Sequence, residues 1–188
     1  MRRLCALAAV CMLAAGASAV SQQYTSIQRK FQQIDKKQVK PGQRISLTAA
    51  ELNAYVQTEL PKVAPPGVRR PAVQLQGNNR ASGAALIDFV KLRTSQGKPP
   101  NWLLRKLLEG EHEVSVTARV QSGGGQATVH LEQVQISGVP ISGGALDWVV
   151  QNYLIPHYPD AKVGRPFALR HGVDRIEVTP GVAYVVMR

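Results

Sequence analysis

Val114, Val116, Ala118 and Val120 alternate with Ser115, Thr117, Arg119 and Gln121, and the run ends at Gly123-Gly124-Gly125. A period of two puts all four apolar side chains on one face of a strand, because successive side chains leave a pleated backbone on opposite sides. A helix would scatter the same residues around its axis. The glycines turn the chain, and Ala127, Val129 and Leu131 resume the alternation, followed by Val134 and Ile136. The parity changes at Glu132 and Gln133, as a β-bulge or bend would require. This pattern predicts an antiparallel hairpin with one apolar and one polar face.

A second hairpin is predicted before it. Val73 and Leu75 alternate with Gln74 and Gln76, and Gly77-Asn78-Asn79 turns the chain into a long run from Ala81 to Arg93. Read as one strand, that run has Ala84, Leu86, Val90 and Leu92 on one face and Ala85, Ile87 and Phe89 on the other, so half its length needs cover on both sides. Further strands are predicted near Phe167 to Leu169, Asp174 to Thr179 and Val182 to Met187, the last two joined by a Pro180-Gly181 type II turn.

Helical periods flank the strands. Tyr24, Ile27, Phe31 and Ile34 predict an amphipathic helix from Ser21 to Lys37, ended by Pro41-Gly42. After a short strand at Arg44 to Leu47, Thr48 and Glu51 form a capping box for a helix carrying Leu52, Tyr55, Val56 and Leu60, expected to stop before Pro61. Pro65, Pro66, Gly67 and Pro71 then mark a loop. Ser142 caps a last helix bearing Leu146, Trp148, Val149, Val150, Tyr153 and Leu154, closed by Pro156 and expected to be mostly buried. No parallel βαβ series occurs. The expected fold is α+β, with a twisted, mainly antiparallel sheet and helices packed against one face.

The first residues read as an address. Arg2 and Arg3 precede an apolar stretch of twelve, Leu4 to Ala15, and Ala17-Ser18-Ala19 offers a small-residue cleavage site before Val20. Twelve apolar residues fall short of the ~20 that cross a bilayer. An exported bacterial protein, periplasmic or extracellular and cleaved after Ala19, is expected, with residues 20–188 as one domain. Both cysteines, Cys5 and Cys11, lie in the removed segment. The mature chain then has no disulfide and no thiol chemistry.

Charge divides unevenly. Val20 to Lys106 holds 15 basic and 4 acidic residues, Leu107 to Arg188 holds 6 and 8. A basic half on an exported protein attracts anionic partners, a membrane surface or an envelope polymer. Export and the lack of any nucleic-acid-binding motif argue against nucleic acid.

Enzymatic signatures are missing. There is no Gly-x-Ser-x-Gly elbow, no His-Glu-x-x-His site and no Walker loop. Glu109-Gly-Glu-His-Glu113 is the one local group of carboxylates with a histidine, and on a strand Glu111 and Glu113 face away from His112. His130, His157 and His171 have no ligand spacing. No catalytic residue, metal or cofactor is expected.

The segment Ile45-Ser-Leu-Thr-Ala-Ala-Glu-Leu-Asn-Ala-Tyr55 resembles the opening of small extracytoplasmic proteins of the YpmS-like kind, and Val134-Gln-Ile-Ser-Gly-Val-Pro-Ile141 before an apolar helix is similar to their later half. Those proteins resemble the tubular lipid-binding (TULIP-like) superfamily. The resemblance implies a half-barrel, a curled sheet wrapped around a long helix with an apolar groove, and a lipid as ligand. The uncleaved anchor of the YpmS-like group is absent here.

Pro99 to Leu108 carries the most interfacial character. At 100° per residue Leu103, Leu104, Leu107 and Leu108 span an arc of about 140°, with Trp102, Arg105 and Lys106 opposite. Indole and cations suit headgroups, and leucines suit acyl chains. The expected function is binding of a lipid or other amphiphile. Trp102, Leu103, Leu104, Leu107, Leu108, Leu146, Val149, Val150 and Tyr153 form the apolar contact, and Lys91, Arg93, Arg105 and Lys106 meet an anionic head. The alternatives are a non-enzymatic envelope adaptor docking through its basic face and, more remotely, a hydrolase without a known signature.

Overall fold

The computed structural model describes residues 20–95, 97, 99, 101–149, 151 and 164–188, with the backbone alone at 103, 104, 107, 145, 148 and 149. Residues 1–19, which the sequence reads as a signal segment, and the positions Val150, Tyr153, Leu154 and Pro156 lie outside the described residues. The fold is α+β and its strands pair antiparallel throughout.

The strands make two sheets where the sequence suggested one. In the smaller, β1 (Arg44–Thr48), β9 (Val182–Met187) and β8 (Val173–Thr179) lie in the order β1-β9-β8. Helix α1, residues 20–35, and α2 (Ala49–Val63) pack with it. Ile27 and Ile34 of α1, Leu47 of β1, and Val173, Val178, Ala183, Val185 and Met187 form its buried core, with Phe31, Leu52 and Tyr55 against them. The helical period of α1 and the alternation of β8 and β9 thus meet in one apolar cluster.

The larger sheet has the order β2-β3-β4-β5-β6, built from β2 (Val68–Gly77), β3 (Arg80–Ile87), β4 (His112–Gly123), β5 (Gln126–Ile136) and β6 (Val139–Ile141). The two-residue β7 (Phe167–Ala168) pairs with the start of β5. Glu132 is the extra residue: Thr117 pairs Gln133 and Ala118 pairs Leu131. The bulge restores the apolar face after the parity slip.

The sheets divide because β8 runs across the tips of both hairpins of the larger sheet instead of extending it. Its outward backbone groups at alternate residues are satisfied there. Val178 N–H donates to the Asn79 side chain and Val178 O accepts from Asn79 N–H at 3.0 Å. The Ser122 hydroxyl bonds both Ile176 N–H and Ile176 O, and Asp174 O accepts from Gly125 N–H. Asn79 can serve because it sits in the left-handed region, φ 58°, which asparagine tolerates.

Three boundaries differ from the sequence reading. The run from Ala81 to Arg93 is not one strand: β3 ends at Ile87 and α3 (Phe89–Ser95) follows. Asp88 causes the break, its carboxylate accepting Lys91 N–H at 2.9 Å as a helix N-cap. Helix α2 passes Pro61 and ends at Val63. The proline sits in the last turn at an exposed position, where its missing N–H removes one bond that water can replace on the carbonyl. Pro71 lies inside β2, at the register shift between Arg69 and Ala72, which is where a strand accepts proline.

The capping box of α2 is present as expected. Glu51 is buried and also accepts from Ser26 (2.6 Å) and Lys30 (2.8 Å) of α1, so one carboxylate closes the first turn of α2 and fastens the two helices. Asn53 of the same helix bonds both Val73 N–H and Val73 O, covering the free edge of β2.

Candidate functional site

The larger sheet separates its side chains into two unlike faces. Register places Val73, Gly83, Val116, Val134 and Ile141 in one row across five strands, with Ala85, Val114, Ile136 and Val139 in the next such row. This is the apolar face. Near Ile87, Phe89 and Leu92 of α3 cover it, and both are almost fully buried. Ile87, Val114, Ile136 and Leu108 pack on that pair but stay partly exposed. Towards the middle the cover thins. Val134 there is still buried, but Val116 and Ala118 are partly exposed, and a side chain added at Gly83 would meet, among the described residues, nothing nearer than the Ala72 carbonyl oxygen at 3.9 Å.

The opposite face is polar and slightly concave. Small residues, Ser82 and Ala84 of β3 with Ser115 and Thr117 of β4, form its floor, and Gln74 and Gln76 on one side with Gln133 and Gln135 on the other form its walls. The concavity measures about 250 Å³. Beyond it Glu132 sits between Arg119 at 2.6 Å and Arg80 at 2.7 Å. The Arg119 guanidinium, with Arg80 assisting, holds the Glu132 carboxyl below its ordinary value. None of the residues picked from the sequence lines this hollow, whose hydroxyls and carboxamides suit water or a polar molecule better than an acyl chain.

The picked residues fall into three groups. Trp102 opens α4 (Trp102–Leu107) and is 78% exposed, the largest exposed apolar side chain among the described residues. Arg105 and Lys106 on the same helix are exposed and make no ion pair among the described residues. Leu108, just after α4, packs on the Phe89 and Leu92 cluster. The side chains of Leu103, Leu104, Leu107 and Val149 lie outside the described residues, as do Val150 and Tyr153; Leu146 is half-buried on α5 (Gly143–Val149).

Lys91 and Arg93, read as strand residues, stand on α3. Lys91 pairs with the cap residue Asp88 at 3.0 Å, so part of its charge is already answered at the helix terminus. Arg93 is half-buried. The sequence reading therefore found α4 but missed Ile87, Val114, Val116, Val134 and Ile136 as the sheet surface beside it. Their alternation was the available signal.

His112 is the remaining polar group of note. Its ring lies 5.8 Å from that of Phe89, Nδ1 is 3.3 Å from Ser137 Oγ, and Nε2 is buried without a hydrogen-bond partner among the described residues. Among the described residues no carboxylate is bonded to the ring. Among the described residues no group of three or more His, Cys, Asp or Glu could hold a metal ion, and no helix is long and apolar enough to cross a membrane.

No protein-family model and no curated protein matches the chain.

Proposed function

We propose that the protein binds an apolar or amphiphilic ligand, foremost a lipid with an anionic head, against the apolar face of the six-stranded sheet, with α4 at its mouth. The observation that carries this reading is Trp102, 78% exposed beside two cations with no ion pair among the described residues, next to a sheet face that α3 covers at one end. An indole held in water loses apolar contact that an interface would restore. Val73, Gly83, Val116 and Ile141 of one row are partly exposed although Val134 between them is buried, and this partial cover supports the same reading, as does the resemblance to YpmS-like and tubular lipid-binding proteins. A curled sheet around an apolar groove is the form the site would take. The protein acts outside the cytoplasm, after cleavage behind Ala19, and as a binder with no reaction of its own.

The test uses one tryptophan. In a Trp148→Phe background, Trp102 fluorescence should shift to the blue when micelles or vesicles of an anionic lipid are added, and native mass spectrometry after mild extraction should find a lipid on the wild-type protein. An unchanged spectrum together with a ligand-free mass would end the proposal.

A further inference from the structure

The smaller sheet ends, on the side away from the Pro180-Gly181 turn, among cations drawn from three parts of the chain. β9 is the middle strand, and Arg188 follows it directly. Arg188 N–H donates to Gly172 O at 2.9 Å, while Gly42 N–H donates to Met187 O and Met187 N–H to Gln43 O. The turn from Lys40 to Gln43 therefore flanks Arg188 on one side, and the loop with Arg170 and His171 flanks it on the other. With strands about 4.8 Å apart, this edge is on the order of 10 Å wide. Helix α1 ends over it, since Asp35 lies 3.7 Å from His171, and Lys36 and Lys37 follow at once. The Arg188 guanidinium rests against Gly125, where a Cβ would come within 2.4 Å of it.

Lys36, Lys37, Lys40, Arg170 and Arg188 are all exposed, and none makes an ion pair among the described residues. Elsewhere Lys30, Arg44, Lys62, Arg69, Arg80, Lys91 and Arg119 each have a carboxylate partner. Of the acids at this edge, Asp174 is paired with Arg175 at 2.9 Å; Asp35, 3.7 Å from the His171 ring, takes one charge from the sum and leaves the edge cationic. Five cations with no ion pair among the described residues, within one or two Debye lengths of ~8 Å each at physiological salt, sum their potentials in the solvent outside. Among the described residues the exposed large apolar side chains Val63, Trp102 and Val139 stand on other elements, and Val20 opens α1, about 22 Å from the end that meets this edge. Charge without an apolar anchor suits a soluble polymer better than a bilayer, where insertion adds to attraction.

We propose that this edge is a docking surface for a flexible polyanion, a soluble chain of successive phosphate groups. It does not rest on the lipid reading, whose ligand lies against the apolar face of the larger sheet and whose test reads Trp102 on α4.

The experiment measures binding of long-chain polyphosphate to the full chain at several salt concentrations. Lys36→Gln, Lys37→Gln and Lys40→Gln together should weaken binding at least ~10-fold and flatten the salt dependence by about two to three counterions. Lys62→Gln, Arg69→Gln and Arg70→Gln remove the same charge from exposed positions on α2 and at the start of β2 and should change affinity less than about 3-fold. All six positions are exposed, so circular dichroism should show the fold intact in both variants. Equal weakening in the two would reduce the effect to net charge and overturn the proposal. So would wild-type protein that ignores polyphosphate, or anionic vesicles that displace it.

Discussion

Replacing Glu51 by glutamine removes a charge from a residue only 3% exposed, while keeping its size and one acceptor. Burial pushes the carboxyl upward, but hydrogen bonds from Lys30, Ser26 and Thr48 outweigh it and hold the group at about 2, against an ordinary 4.5. The folded value lies below the unfolded one. The charged carboxylate therefore stabilises the fold fully above pH 4.5 and loses that contribution as pH falls from there through about 2. At 1.36 kcal/mol for each tenfold step, the interval corresponds to about 3 kcal/mol. Glu51→Gln should forfeit most of it at pH 7, because the neutral amide removes the charge facing Lys30 and its NH2 group can no longer accept from Ser26 or Thr48. For a chain of this length a loss of 2–3 kcal/mol lowers Tm by about 4–12 °C. Thermal unfolding followed by circular dichroism from pH 7 to pH 2 measures both the offset and its fading. The two curves should converge towards pH 2.5. Curves that stay parallel would refute the assignment of this acid sensitivity to Glu51.

Asn53→Ala leaves Val73 N–H and Val73 O without their partner and should cost about 1–3 kcal/mol, with faster amide exchange at Val73 as the local sign. Asp88→Ala removes the cap of α3 at a cost of about 1 kcal/mol, whereas Asp88→Asn should lose only a few tenths; urea titration of the three proteins distinguishes them. Leu92→Ala empties a site 3% exposed under α3 and should cost about 2–4 kcal/mol. If α3 borders the proposed ligand face, an added amphiphile should recover part of that loss in a melting assay.

The period-two alternation of residues 114–136 was enough to give β4, β5 and even the bulge at Glu132, because a strand with one buried face cannot slip by one residue without turning all its apolar groups outward. Thr48 and Glu51 were equally legible, since their chemistry is complete within four residues. The end of β3 was not. From Ala84 to Leu92 both faces read as apolar, so periodicity carried no information, and the deciding residue was Asp88 as a cap within the run. The split into two sheets was hidden for another reason. It depends on Asn79, Ser122 and Gly125 meeting alternate residues of β8, contacts between segments as far as 99 residues apart. Counting charge by halves likewise hid the cationic edge, because Arg170 and Arg188 belong to the half with the acidic excess and reach Lys40 only through the pairing of β9.

The same contacts decide how the apolar face of the larger sheet can be reached. Along β2 the way is closed by Asn53 of α2 at Val73 and by Gly181 N–H on Leu75 O. At the hairpin tips β8 lies across the strand ends. Among the described elements this leaves the end near Ile87, His112 and Ile136, where α3 and the residue after α4 pack, and the edge of β6, three residues long with Val139 exposed. Backbone groups on such a short, proline-bearing edge offer little to a pairing strand. A ligand for this face would therefore enter past Trp102 or past Val139, with its polar end left in solvent near Arg105 and Lys106. The polyanion edge lies at the other end of the hairpins, separated by the length of β4, about 40 Å for twelve residues. At that distance ions screen one site from the other, so occupancy of either should leave the affinity of the other unchanged.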